Sequence, residues 1–212
     1  MWELVKAGGW LMLPLVVCSI FTIAITLERF IRLKRSQVIP VELILRHPQD
    51  IAPVIDRLSH APNLQASTLG QILLAGYASR QESEQFARAQ MEAKASQEIG
   101  YLEKNINFLG TLSAVAPLLG LLGTVLGIIE SFLVIDLGTT SNPGLMIPGI
   151  SKALITTAAG MLIAIPALFA YRFFQRLVQE YVAELEQQST LFHRLVAILN
   201  THRHHESAFC HV

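Results

Sequence analysis

The chain has 212 residues, of which 52% are hydrophobic and only 15% are charged, against roughly 25% charged residues in soluble domains, so the composition argues against an ordinary soluble enzyme. Its 16 basic and 16 acidic residues cancel, which argues against a protein that binds nucleic acid. The two cysteines, Cys18 and Cys210, are too far apart in sequence for a CxxC metal site and suggest no disulfide framework.

Three runs without Asp, Glu, Lys or Arg predict three transmembrane helices. The first covers the 21 residues between Lys6 and Glu28, the second the 25 residues between Lys104 and Glu130, and the third the 19 residues 153–171. A helix rises about 1.5 Å per residue, so about 20 apolar residues cross a bilayer core about 30 Å thick. The first run is too long for the apolar region of a signal peptide and is expected to stay as an anchor. The sequence therefore predicts an all-α membrane protein.

Basic residues beside these runs predict the orientation of the chain. Arg29, Arg32, Lys34 and Arg35 follow the first span, whereas residues 136–147, between the second and third spans, contain no Lys or Arg. The positive-inside rule therefore places the N-terminus outside and the C-terminus inside.

The charged segments predict further helices. Residues 81–104 contain no proline and alternate Glu with Arg and Lys, and their continuation into the second span would give one helix of roughly fifty residues. After the third span, an apolar stripe recurs every three or four residues with one interruption at Gln188. The stripe consists of Val178, Tyr181, Leu185, Phe192, Leu195 and Leu199. It predicts a helix packed on residues 81–104, with a partner-binding helix as the alternative. Residues 201–212 hold four histidines beside Cys210, but nothing fixes their spacing, so a flexible tail is expected rather than a metal site.

Small residues recur at intervals of three or four in the second and third spans. They are Ala116, Gly120, Gly123, Gly127 and Ser131 in the second span and Ala153, Thr157, Gly160, Ala164 and Ala167 in the third. Such seams allow helix backbones to approach closely in lipid. Packing within one chain explains one seam, and two seams indicate surface for neighbouring subunits. We therefore expect an oligomer whose second and third spans face inward while the first faces lipid.

Five polar residues lie at membrane depth in the second and third spans. Thr124, Thr156 and Thr157 fall near the bilayer middle, and Glu130 and Lys152 share a depth nearer the outer end. A threonine there can simply bond a carbonyl of its own helix. An unpaired charge costs about 2.5 kcal/mol or more near the centre, which predicts a Glu130–Lys152 pair. The alternative is that Lys152 extends alone to the outer interface.

Two strings in the second and third spans resemble the MotA/TolQ/ExbB proton-channel family, and more closely its ExbB/TolQ branch. They are APLLGLLGTVLGI, residues 116–128, and PGISKALITTAAG, residues 148–160, closing at AIP, residues 164–166. The resemblance implies a bacterial inner-membrane homopentamer whose pore is lined by these two spans. It implies single transmembrane helices of an ExbD- or TolR-like partner inside that pore, and a TonB- or TolA-like protein that delivers work outward. No cofactor is implied.

The same resemblance assigns roles to particular residues. It makes Thr124 and Thr157 the pore hydroxyls, with Thr156 beside them. No Asp, Glu or His lies near the middle of any span, so the group that holds the proton must come from elsewhere. The family supplies it as an aspartate of the partner helix. ExbB carries glutamate at the position of Lys152 and asparagine at that of Glu130, so the sign of the charge differs here, which suggests a paralogue.

Other classes of protein fit the sequence less well. An intramembrane hydrolase would need a nucleophile with a His or a carboxylate pair in the spans, and no span contains a His, so we do not expect an enzyme. A flagellar-type stator would have a fourth span, and a passive scaffold has no need of central threonines.

The predicted organisation is therefore a periplasmic N-terminus (residues 1–7), a first span (8–27), a cytoplasmic helical segment (28–107), a second span (108–135), a periplasmic loop (136–147), a third span (148–171), a cytoplasmic helix (172–200) and a flexible tail (201–212).

Overall fold

A computed structural model describes residues 9–137 and 143–209. Within them the secondary structure is helical, with α1 Met12–Arg32, α2 Arg35–Val38, α3 Ile51–His60, α4 Pro62–Gln65, α5 Thr68–Ala78, α6 Glu84–Glu103, α7 Ile106–Leu137 and α8 Ile147–Phe209. Short 3-10 turns lie at Val41–Leu43, Pro48–Asp50 and Pro143–Met146. Three helical stretches, in α1, α7 and α8, are long and apolar enough to cross a membrane. The predicted all-α membrane protein with three spans is confirmed.

The chain divides into two compact units. The first, here the membrane unit, comprises Met1–Arg29 and Asn105–Gln175, and the second, here the charged unit, comprises Phe30–Lys104 and Arg176–Val212.

In the membrane unit, α1 packs against α7 and α8. Met12 and Leu15 are buried together with Ala116 and Ala164. Nearer the other end of α1, the rings of Phe21 and Phe108 meet edge to face at a centroid distance of 6.1 Å. Large side chains of α1 therefore pack against small residues of α7 and α8, which fills the space between the three helices.

The helix that we considered continuous from residue 81 into the second span is interrupted. It ends at Glu103, Lys104 is extended with ψ 139°, and Asn105 has a left-handed φ of 64° before α7 starts at Ile106. Asparagine tolerates this conformation better than most residues. Its side-chain Nδ2 donates to Oε2 of Glu28 at 3.0 Å. Apart from this interruption, α6 and α7 together cover the roughly fifty residues for which the sequence left a single helix open.

In the charged unit, two hydrogen bonds join α8 to residues 33–45. The Tyr181 hydroxyl donates to the Leu33 carbonyl at 2.9 Å, and the Leu45 N–H donates to Oε1 of buried Gln188 at 2.8 Å. Gln188 interrupts the apolar stripe because its side chain completes this backbone hydrogen bond.

The helix α6 lies on another side of α8, across a groove of about 940 Å³ that includes Met91 and His193 in its lining. His193 approaches Glu84 of α6 at 3.4 Å. The packing of the apolar stripe on residues 81–104 stays a prediction.

The end of α8 differs from the predicted tail. The helix continues to Phe209, whereas we expected flexible chain from residue 201. Residues 210–212, which include Cys210, lie outside the described residues. Within the described part of the chain, no three His, Cys, Asp or Glu side chains are placed to hold a metal ion.

Candidate functional site in the second and third spans

The small residues of α7 and α8 pack on one another along an antiparallel seam. A Cβ on Gly120 would lie 3.1 Å from Cα of Thr157, and one on Gly127 would lie 2.8 Å from Cβ of Ala153. A Cβ on Gly160 would lie 2.6 Å from the carbonyl oxygen of Ala116. The two backbones therefore approach as closely as glycine permits.

This packing corrects the argument that two seams leave surface for neighbouring subunits. Gly120, Gly123 and Gly127 face the α8 seam, and Gly160 faces back to α7. Ala164 is buried against Ala116 and the residues of α1. Both seams are consequently used within the chain, and contacts between subunits would need other surfaces.

The three threonines near mid-depth occupy different environments. Thr156 is only 1% exposed, lies against Gly123, and donates to the Ala153 carbonyl at 2.8 Å, so it belongs to the seam. Thr157 is half-buried and donates across the seam to the Gly120 carbonyl at 3.0 Å. Thr124 is also half-buried and donates to Leu121 of its own helix at 2.6 Å.

The polar residues fall on two opposite flanks of the seam. Each residue turns an α-helix by about 100°, so Thr124 lies about 120° round α7 from Glu130, and Thr157 about 140° round α8 from Lys152. Lys152 Nζ lies 2.8 Å from Oε2 and 3.1 Å from Oε1 of Glu130, so these two share one flank. Thr124 and Thr157, beyond the line of small residues, share the other, which we name the threonine flank.

Span α1 covers the flank that carries the ion pair. Leu119, Ala159 and Ile163 pack against the cluster that includes Met12 and Leu15 of α1. Leu119 lies 11 residues from Glu130, and Ala159 and Ile163 lie 7 and 11 residues from Lys152. Seven or eleven residues make a whole number of helical turns to within about 20°, so the three side chains lie on the same side of their helices as the ion pair.

The threonine flank, in contrast, is uncovered. Its apolar side chains Leu121, Ile128, Leu154 and Met161 are exposed. A helix pair with one covered and one open flank can present Thr124 and Thr157 to another chain.

The ion pair lies at one end of the apolar layer. From Lys152 to Arg172 the third span runs 20 residues, or about 30 Å, which matches the thickness of a bilayer core. Glu130 is 52% exposed and Lys152 26% exposed. The lysine side chain also lies against Gly9, which the sequence reasoning missed. Its signal was a glycine pair at the start of the predicted first span.

The opposite end of the membrane unit carries a second polar group that the sequence reasoning missed. Arg29 is 1% exposed and its Nη2 lies 3.3 Å from Oε1 of Glu28, whose other oxygen accepts from Asn105. A charged dipeptide directly after an apolar run was its only signal.

Three apolar spans define a multi-pass membrane protein. Near the middle of these spans the sequence has threonine hydroxyls but no carboxylate or imidazole. Hydroxyl groups can pass a proton along hydrogen bonds, but they cannot hold one as a carboxyl group does. The chain belongs to the MotA/TolQ/ExbB proton channel family, whose model matches residues 64–187.

Relatives in the ExbB/TolQ branch agree with this assignment. The chain is 33% identical over 200 residues to the putative biopolymer transport protein ExbB-like 1 of Synechocystis sp., covering 89% of this chain and 77% of that protein. It is 41% identical over 85 residues to the biopolymer transport protein ExbB of Salmonella typhimurium, covering 40% and 35% of the two chains. It is 36% identical over 108 residues to the Tol-Pal system protein TolQ of Haemophilus influenzae, covering 49% and 47%.

The predicted family and branch are therefore confirmed. The family is one of proton channels and not a known class of enzymes. Its members and the three apolar helices support an ExbB/TolQ-like energising subunit that is a multi-pass protein of the inner membrane.

Proposed function

We propose that this chain is a subunit of an inner-membrane motor driven by the proton motive force. Together with a single-span partner resembling ExbD or TolR it forms a proton path, and through a TonB- or TolA-like protein it energises transport or an envelope process. Its N-terminus lies in the periplasm and its C-terminus in the cytoplasm. The family and its ExbB and TolQ relatives support this proposal.

One observation carries the placement of the proton path. Thr124 and Thr157 share the flank of α7 and α8 that α1 leaves uncovered, while Thr156 is buried in the seam. A partner helix on the threonine flank would bring a carboxyl group within reach of two hydroxyls, each able to donate and to accept a hydrogen bond. We therefore assign Thr124 and Thr157 to the path and withdraw Thr156 from it.

The test replaces threonines by valine, which has a similar volume but no hydroxyl. The protein and its partner are reconstituted in liposomes, and proton uptake under an imposed potential is measured. Thr124→Val and Thr157→Val should each abolish uptake while the complex still assembles. Thr111→Val is the matched control, because Thr111 is an exposed threonine of α7 that bonds its own helix at Asn107.

The seam residue sharpens the same experiment. Thr156→Val should retain uptake, because its hydroxyl bonds Ala153 of its own helix. Wild-type uptake in the Thr124→Val/Thr157→Val double variant would show that the two hydroxyls only make structural hydrogen bonds and that protons take another path.

The assembly is proposed as a homopentamer by family likeness, embedded in membrane lipid. Its threonine flank, which α1 leaves uncovered, is the surface that we assign to contacts with other protein chains. Native mass spectrometry in mild detergent should give five copies, with the single-span partner retained after copurification. A stable monomer would contradict this part of the proposal.

A further inference from the structure

Lys152 of α8 touches the other two spans at one level. Its Nζ lies 2.8 and 3.1 Å from the two carboxylate oxygens of Glu130 on α7. Its side chain also lies against Gly9, directly ahead of α1, where a Cβ would overlap the lysine Cε and lie 2.9 Å from Nζ. Gly9 has a φ of +72°, a conformation that side chains rarely adopt. Glycine at position 9 therefore allows the positive φ of the backbone turn and also leaves room for the lysine side chain.

These contacts close the outer end of α1. The carbonyl of Gly9 accepts from the N–H of Met12 at 3.1 Å, so the residue that the lysine contacts is also part of the first turn of α1. At the inner end, Glu28 accepts from Asn105, which joins α1 to the start of α7. Span α1 is thus contacted at both ends, by the Glu28–Asn105 hydrogen bond at the inner end and by the Lys152 side chain at the outer end, where the ion pair with Glu130 keeps the lysine against Gly9.

We infer that Lys152 is a positioning residue that clasps the outer ends of the three spans from the flank opposite Thr124 and Thr157. By fixing α7 and α8 relative to each other and to α1, it sets the geometry in which the threonine flank meets the partner. This role rests on the proposed function, whereas the clasp itself does not. The ion pair lies outside the proton path, because it is on the flank that α1 covers.

A positioning role of Lys152 needs only a positive charge that bonds Glu130, whereas a proton-relay role needs a side chain that can release its proton. Arginine keeps the positive charge and can bond both carboxylate oxygens, but it does not release a proton in proteins. Methionine keeps the apolar stem and loses the charge. Lys152→Arg should therefore preserve a clasp and abolish a relay, while Lys152→Met should abolish both.

The experiment uses the full chain with its partner in lipid nanodiscs and in liposomes. Hydrogen exchange of the amides of residues 12 and 13, measured by mass spectrometry, reports the first turn of α1 without reference to proton flow. Proton uptake as a function of pH is measured in parallel. Lys34→Met is the matched control, since Lys34 is exposed and lies far along the chain from the clasp.

In Lys152→Met we expect exchange at residues 12 and 13 to rise about ten-fold or more, since a lost tertiary contact lowers the cost of local opening. Proton uptake should fall with an unchanged pH profile, and Lys152→Arg and Lys34→Met should resemble the wild type in both measurements. Gly9→Ala should reproduce the exchange of Lys152→Met, since its methyl group displaces the lysine.

Two results would overturn the inference. Exchange at the wild-type level in Lys152→Met would show that no clasp exists. Loss of uptake in Lys152→Arg with protected amides would show that the lysine transfers protons. If the wild-type complex moves no protons, the proposed function fails, and the exchange data still decide whether Lys152 clasps α1.

Discussion

Gly160→Ala should destabilise the membrane unit, because the added methyl group meets backbone rather than side-chain atoms. The new Cβ would lie 2.6 Å from the Ala116 carbonyl oxygen and 3.1 Å from Cα of Gly120. Ordinary van der Waals contact begins at 3.4 Å, so the nearest distance is about 0.8 Å too short. A helix backbone cannot rotate aside as a side chain can, so α7 and α8 have to separate by a similar distance.

This separation has two costs. A gap of about 0.5–1 Å loses a quarter to a half of the dispersion energy of each seam contact, and overpacked interiors lose about 1–3 kcal/mol in total. The hydrogen bond from Thr157 to Gly120, now 3.0 Å, would also break. Interhelical hydrogen bonds in membranes contribute about 0.6 kcal/mol. Alanine also favours the helix over glycine by about 0.5–1 kcal/mol, so the free energy of unfolding should fall by about 1–3 kcal/mol in total.

The assay is reversible unfolding in mixed micelles with increasing dodecyl sulfate, followed by circular dichroism. Gly100→Ala is the matched control, because a Cβ there has nothing within 4 Å and the residue lies inside α6. Alanine is the better helix former, so this variant should gain about 0.5–1 kcal/mol. Equal behaviour of the two variants would refute the close approach of α7 and α8.

Three further predictions concern charge and protonation. Lys152→Ala should impair assembly or function more than Lys152→Ala/Glu130→Ala, since it leaves a carboxylate uncompensated. In a double-mutant cycle, free-energy changes of the two single variants that add to within about 0.5 kcal/mol would show no coupling between the two residues. Burial raises the pKa of the Tyr181 phenol, so this group adds stability below the pKa of unfolded tyrosine that is lost as pH rises through the folded value. Tyr181→Phe should remove, from an absorbance titration, a component that titrates above the ordinary tyrosine range, and an unchanged curve would contradict this. Hydrogen bonds from the backbone N–H groups of residues 46 and 47 lower the pKa of Asp50, whose contribution is present above the unfolded pKa and is lost as pH falls through the lower folded value. Asp50→Asn should flatten the acid limb of thermal unfolding, and an unaltered limb would exclude that contribution.

The positions of the three spans could be predicted from the sequence because charge is excluded from hydrocarbon whatever the tertiary structure. The interruption at Asn105 could not. Its signal is a single residue, and the left-handed turn depends on a partner 77 positions away, Glu28. Periodicity measures spacing along one helix, so it does not report which other segment accepts a particular hydrogen bond.

The candidate site was predictable at the level of helix depth but not of helix face. Depth depends on counting residues from a charged boundary, which placed Thr124, Thr156 and Thr157 together. Face depends on which neighbour each helix meets, and adjacent Thr156 and Thr157 differ in this respect because one residue turns the helix by about 100°. The contact of Lys152 with Gly9 needs the positions of two spans at once, which no single stretch of sequence contains.

Because of the contacts between α8 and residues 33–45, the charged unit can complete its folding only late in synthesis. The bonds from Tyr181 to Leu33 and from Leu45 to Gln188 join residues 148 and 143 positions apart. The early partners leave the ribosome first, and they remain bonded to water until the third span has been made and the helix after it emerges. A ribosome that stalls before residue 181 would therefore leave a membrane-anchored chain whose residues 33–45 lack their hydrogen-bond partners from α8. Such an incompletely folded chain is a substrate for chaperones and proteases.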